Sequence, residues 1–257
     1  MSAVAALLDS RSALVSLRRT LAPVPPSVIA CHGAPRLRRA LEDRVLDAIV
    51  IGQKALRSEE LLQLRGQFPA LPIVVYGTFK PDDGDLLARL DGPGGVAAVA
   101  VEGVDDALVG EIVRRAALST ERRRLLISAP RYLRLSEPIQ QRAWSMLVGS
   151  VALPVRTDEV AKWMGTSREH LSRQFAAGGA PNLKRVIDML RVVTATQLLA
   201  NPGYTIADVA RLLGFASTAH FGLTVNRIAK VETTDLRRIP PARIFEAFVR
   251  HSMRSRR

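Results

Sequence analysis

The strongest constraint on this chain is a short device that occurs twice between Thr157 and Arg238. The first copy is T-D-E-V-A-K-W-M-G-T-S-R-E-H-L-S-R-Q-F, residues 157–175, and the second is T-I-A-D-V-A-R-L-L-G-F-A-S-T-A-H-F, residues 205–221. Each offers an N-cap candidate (Thr157, Thr205), a short helix with an apolar stripe and a central alanine (Ala161, Ala210), and a glycine (Gly165, Gly214) where a turn needs positive φ. A serine (Ser167, Ser217) then stands where it would cap a second helix. A small residue at a helix crossing, a glycine in the turn and polar residues on the outer face of the second helix predict two helix-turn-helix units in tandem.

Between the copies runs P-N-L-K-R-V-I-D-M-L-R-V-V-T-A-T-Q-L-L-A, residues 181–200, read as one helix with Pro181 in its first turn and Asn201-Pro202-Gly203 closing it. Twenty residues at about 1.5 Å each make a strut of roughly 30 Å. Successive major-groove faces of DNA lie about 34 Å apart. A strut of that length would therefore present two recognition helices to one face of a duplex. Charge points the same way. Residues 1–118 hold 14 basic and 14 acidic residues, whereas residues 119–257 hold 23 and 10, so the whole net charge of +13 sits in the half with the two units. A polyanionic partner for that half follows.

The order Ser167, Leu171, Arg173, Phe175, then Arg191, Ala195, Leu198, Leu199, then Ile206, Val209, Ala210, Gly214, Phe215, Phe221 resembles the DNA-binding domain of the AraC family of bacterial transcription regulators. The resemblance covers roughly Ser136 to Arg238 and implies an all-α domain with two helix-turn-helix units that binds double-stranded DNA. The chain departs from the family pattern after the second unit, where Lys230 and Thr233 replace its glycine and proline. Leu223 stands where the family usually has an arginine late in the second recognition helix.

In the first unit Leu171 and Phe175, four apart, face inward, which leaves Arg168, Glu169, Ser172 and Arg173 for the groove. Arginine binds the guanine edge bidentately, glutamate accepts from cytosine, and serine is permissive. The resemblance puts Glu169, Ser172 and Arg173 at base-facing positions; for His170 base contact and plain solvation stand even. The second unit offers Thr218, Ala219, Gly222 and Leu223 outward, with Arg211, Asn226 and Arg227 as phosphate contacts. His220 stands equally for packing at the helix margin and for touching DNA. Trp163 and Phe215 are assigned to the core.

Residues 1–118 alternate apolar strand-like runs (4–8, 27–30, 48–51, 73–76, 96–101) with amphipathic stretches near 11–21, 35–44, 58–66, 83–90 and 105–118. Strands poor in polar residues, separated by helices, predict a five-stranded parallel sheet covered on both faces. This α/β pattern resembles the flavodoxin-like receiver domain of response regulators, with strand order 2-1-3-4-5. Measured against a working receiver, its chemistry is degraded. The acidic pair that should hold Mg²⁺ is Asp9 and Ser10, and the phosphoacceptor position is Gly52. The hydroxyl position is Gly77, with Thr78 one place on, and the lysine position is Glu102. No phosphoacceptor is therefore assigned. Asp9 is read instead as an acidic residue favoured by the dipole at the start of the 11–21 helix.

The composition shift at S-T-E-R-R-R-L-L-I-S-A-P-R-Y-L-R-L, residues 119–135, is read as a linker, with Arg122, Arg123 and Arg124 as a solvated charge run in preference to a phosphate contact. The expected domains are thus 1–118, a linker 119–135 and 136–257. The last of these opens on a helix capped near Ser136, with Pro138 in its first turn and Ile139, Trp144, Leu147 and Val148 packing inward. It ends in an amphipathic helix with Ile244, Phe245 and Phe248 inward and a basic tail. A lone cysteine, Cys31, and four scattered histidines exclude a disulfide framework and offer no metal-ligand spacing. No nucleophile, base or metal cluster stands out, so neither catalysis nor a cofactor is expected. The start of the sequence lacks the basic region of a signal peptide and no apolar run is long enough to span a membrane, which makes a cytoplasmic protein the expectation. The partner is double-stranded DNA. For the N-terminal domain a homodimer, another regulatory protein and a small ligand stay open. A nonspecific DNA-associated protein, or an adaptor acting through another regulator, is the rival reading.

Overall fold

The computed structural model describes residues 3–22, 27–56, 59–80, 83, 96–149 and 155–254. The chain divides into two compact units, one comprising residues 1–120 with 201–203, the other residues 121–200 with 204–257.

The first unit is built on strands β1 (Ala3–Leu7), β2 (Ser27–Ala30), β3 (Leu46–Ile51), β4 (Ile73–Gly77) and β5 (Ala98–Val101), all parallel, in the order β2-β1-β3-β4-β5. That is the order implied by the resemblance to the flavodoxin-like receiver. Every residue of β3 and β4 is buried, so both faces need a helical cover. On one face Val4, Ala6, Ala48, Val50, Val74, Tyr76 and Ala100 pack against α1 (Arg11–Leu21) and α5 (Val109–Ala116) through Leu17, Leu21, Val109 and Val113. The remaining helices described here are α2 (Ala34–Asp43), α3 (Gln53–Leu56) and α4 (Glu59–Gln67). Of the helix expected near 83–90, only Asp83 lies within the described residues.

The carboxyl ends of β1, β3 and β5 carry a closed set of contacts. Ser10 caps α1, its Oγ accepting from the Ala13 N–H at 3.0 Å. Asp9 therefore does not serve α1. Its carboxylate turns to the start of α3 and accepts from the Lys54 N–H at 3.0 Å. It fits there because residue 52 has no side chain: a Cβ on Gly52 would stand 2.5 Å from the Asp9 carboxyl. Glu102, at the lysine position, accepts from both Ser10 Oγ and Ser12 Oγ, at 2.5 and 2.6 Å.

The second unit is helical. The stretch read as a linker forms most of α6 (Leu118–Leu126) and α7 (Ala129–Tyr132), because Leu126, Ala129 and Leu133 are buried and draw it into the packing. Arg122 is consequently not solvated: it is 8% exposed and donates to Gln197 Oε1 at 2.7 Å. Arg123 and Arg124 are exposed.

The unit continues with α8 (Pro138–Gly149), α9 (Thr157–Trp163), α10 (Arg168–Phe175), α11 (Leu183–Leu199), α12 (Ile206–Leu212), α13 (Thr218–Ala229) and α14 (Pro241–Arg254). Pro138 opens α8, and Trp144 and Leu147 are buried, as the sequence indicated. In α14, Ile244, Phe245 and Phe248 face inward. The strut α11 is shorter than read from sequence. Asn182 is its N-cap, accepting from the Arg185 N–H at 2.8 Å, so Pro181 precedes the helix rather than entering it. Its 17 residues span roughly 25 Å.

Candidate nucleic-acid interface

Each unit of the tandem is set by local chemistry. Gly165 and Gly214 adopt φ of +66° and +68°, the left-handed region that a β-carbon disfavours. Immediately after them Ser167 and Ser217 cap the second helices, their hydroxyls accepting from the His170 and His220 N–H groups at 3.2 and 3.1 Å. At the start of α12, Thr205 and Asp208 cap each other reciprocally. The start of α9 differs. Thr157 is already helical, Arg156 is the N-cap residue, and Glu159 reaches back to accept from the Arg156 N–H at 2.7 Å.

The first recognition helix, α10, buries Leu171 and Phe175 completely. Arg168, Glu169, His170 and Arg173 are exposed and Ser172 is half-buried. Among the described residues Arg168, Glu169 and Arg173 form no internal ion pair, so their charges face outward uncommitted. The helix is held from behind by a residue that sequence reading missed. Gln140 on α8 is fully buried, and its amide NH₂ donates to the Phe175 and Ala177 carbonyls at 2.9 and 3.0 Å. Its carbonyl accepts from the Glu137 N–H at 3.0 Å. A glutamine 35 residues upstream thus satisfies the carbonyls that the end of α10 leaves open.

Trp163 does not join the core. It is the last residue of α9 and 41% exposed. Phe215 is buried and meets His220 edge-on at 5.7 Å, which places His220 at the helix margin.

The second recognition helix, α13, shows Thr218, Ala219 and Leu223 to solvent, the last 73% exposed. Asn226 is exposed. Arg211 is also exposed and pairs with Asp208 at 3.5 Å. Arg227 is already engaged: its guanidinium meets the carboxylate of Asp188, a buried residue of α11, at 2.5 Å. Arg191, one turn along the strut, lies 3.8 Å from the same carboxylate, donates to the Val155 carbonyl at 3.1 Å and stacks over the Phe215 ring at 5.5 Å. The strut is thereby tied to both units at once.

Lys230 closes α13 in the left-handed conformation, φ +59°, at the position where the family pattern has glycine. That costs about 1 kcal/mol. Gly222 is different: a Cβ there would meet only Thr233 Cγ2, at 3.9 Å. Gly222→Ala is therefore expected to stabilise the unit by up to about 1 kcal/mol, as read from its urea midpoint.

Residues 160–239 match the sequence family described as Helix-turn-helix domain. They are an AraC-type helix-turn-helix domain. The chain is also similar, over 86 residues, to the HTH-type transcriptional regulator GbdR in two strains of Pseudomonas aeruginosa, UCBPP-PA14 and PAO1. The identity is 31% over 86 residues, 34% of this chain and 23% of each relative. The match thus spans about a quarter of the length of those relatives. A crystal structure of a transcriptional regulator from Chromobacterium violaceum, described among AraC-type DNA-binding domain-containing proteins, aligns over 40% of this chain and 93% of that one. It is 27% identical, with a TM-score of 0.36. Among the described residues no helix is long and apolar enough to cross a membrane, and no group of three or more His, Cys, Asp or Glu residues is placed to hold a metal ion.

Proposed function

We propose that the chain is a sequence-specific DNA-binding transcription regulator in which α10 supplies most base recognition and α13 adds apolar and backbone contacts. The observation that carries this reading is the contrast between the two outward faces. α10 offers Arg168, Glu169 and Arg173 uncommitted over a buried Leu171 and Phe175. α13 offers Thr218, Ala219 and Leu223, suited to thymine methyl groups and poor in hydrogen bonds. Selection of bound sequences from random duplexes tests it, followed by titration of the selected and a scrambled duplex at one fixed salt concentration. A preference of at least 10³ supports specific reading, whereas equal affinities would leave a nonspecific DNA-associated protein.

The N-terminal unit regulates by dimerising or by binding a partner or ligand, and not through an aspartyl phosphate. Gly52 has no acceptor atom, Asp9 is spent on the Lys54 N–H, and Glu102 places negative charge where a phosphoryl group would need positive charge. Incubation with acetyl phosphate and Mg²⁺ is expected to add no phosphoryl mass to peptides from residues 1–118. Acid-labile phosphate on any of them would refute this.

A further inference from the structure

Helix α14 lies beyond residues 160–239, yet it packs against both the strut α11 and the second recognition helix α13. Together with α6 and α7 it also borders a cavity of about 440 Å³, within the size range of small-molecule sites. The walls are apolar and aromatic: Leu125, Tyr132, Ala242, Phe245 and Val249. Tyr132 is 51% exposed and meets Phe245 edge-on, with ring centroids 6.4 Å apart, so an aromatic wall stands open to solvent.

Two charged side chains line the same cavity, and they are not equivalent. Glu246 pairs with Arg243 at 3.5 Å, both side chains being more than half exposed. Arg250 has no hydrogen bond or ion pair among the described residues. An apolar chamber with one uncommitted guanidinium suits a ligand that is flat and apolar at one end and carries a carboxylate at the other, since a planar fork binds a carboxylate with two parallel hydrogen bonds.

We propose that this cavity is a binding site for a small aromatic carboxylate, lodged in the DNA-binding unit itself. The ring lies against Tyr132 and Phe245, and the carboxylate meets Arg250. Because α14 seats on α11 and α13, occupancy stabilises the folded unit by mass action.

Equilibrium dialysis of the full chain against 2-naphthoate, with 2-naphthylmethanol as its neutral counterpart, tests the assignment. The expected result is saturable binding of one naphthoate per chain and about fivefold weaker binding of the alcohol, the size of a partly exposed ion pair. In Arg250→Gln the two compounds should bind alike. In Val249→Trp, which fills the chamber, neither should bind, with circular dichroism checking that the variant is folded. Absence of naphthoate binding at millimolar concentration, equal binding of the two compounds by the unaltered chain, or an unchanged preference in Arg250→Gln would each overturn the proposal. Arg250 is exposed, so its replacement decides the matter even if the tryptophan variant fails to fold.

Discussion

Replacing Arg227 by alanine will destabilise the C-terminal unit by about 2 kcal/mol and leave the salt dependence of DNA binding nearly unchanged. Read from sequence alone, Arg227 is a phosphate contact, and its loss would flatten the salt slope by about one unit. The structure gives it another occupation. Asp188 is 5% exposed, and Arg227 supplies its close counter-charge at 2.5 Å, while Arg191 is farther away at 3.8 Å. Removing one partner of a buried pair costs about 3 to 5 kcal/mol, because the remaining charge is stranded away from water. The half-exposed guanidinium and the nearby Arg191 reduce that figure here. Urea unfolding measures the first effect, and affinity across a range of salt concentrations the second. Asp188→Asn should act oppositely on the second measurement, steepening the slope by about one unit as Arg227 becomes available to phosphate. If Arg227→Ala flattens the slope and leaves stability intact, the pair gives way to DNA on binding and the assignment is wrong.

Arg173→Ala is expected to weaken binding to the selected site by about 1 to 3 kcal/mol and to relax preference at one base pair, with no change in the unfolding midpoint. The side chain is exposed on α10 and commits its guanidinium to no internal carboxylate among the described residues, so its removal touches the interface and nothing behind it. Leu223→Ala, on the corresponding face of α13, should lose far less, because it forfeits only contact with a methyl group. Competition titrations against duplexes altered one base at a time provide the readout. An equal loss on every sequence would mean that Arg173 touches backbone and that another face of α10 reads the bases.

The sheet order and the helix-turn-helix geometry were both legible in the sequence, for different reasons. Strands buried on both faces must be apolar at nearly every position, so β1, β3 and β4 announce themselves in single runs such as residues 48–51, although the buried Asp47 hid the start of β3. The turns at Gly165 and Gly214 and the caps at Ser167, Thr205 and Ser217 involve residues at most three positions apart, and short-range chemistry leaves a short-range signature. What escaped was long-range. Gln140 reaches Phe175 across 35 residues, and Asp188 reaches Arg227 across 39; neither residue differs in type from a solvated one. The helices within residues 119–135 were hidden by their arginines, whose charge outweighed the apolar spacing of Leu126, Ala129 and Leu133. Trp163 was misplaced because its type suggested burial, whereas at the last residue of α9 it stays 41% exposed.

The crowding beside Gly52 bears on whether a single replacement could create a phosphoacceptor in the N-terminal unit. An aspartate placed at residue 52 would have its Cβ 2.5 Å from the Asp9 carboxyl, bringing two negative groups into room for one. To make way, Asp9 would have to leave the Lys54 N–H that it satisfies. Gly52→Asp alone is therefore expected to leave the N-terminal unit without an acid-labile phosphate after incubation with acetyl phosphate and Mg²⁺.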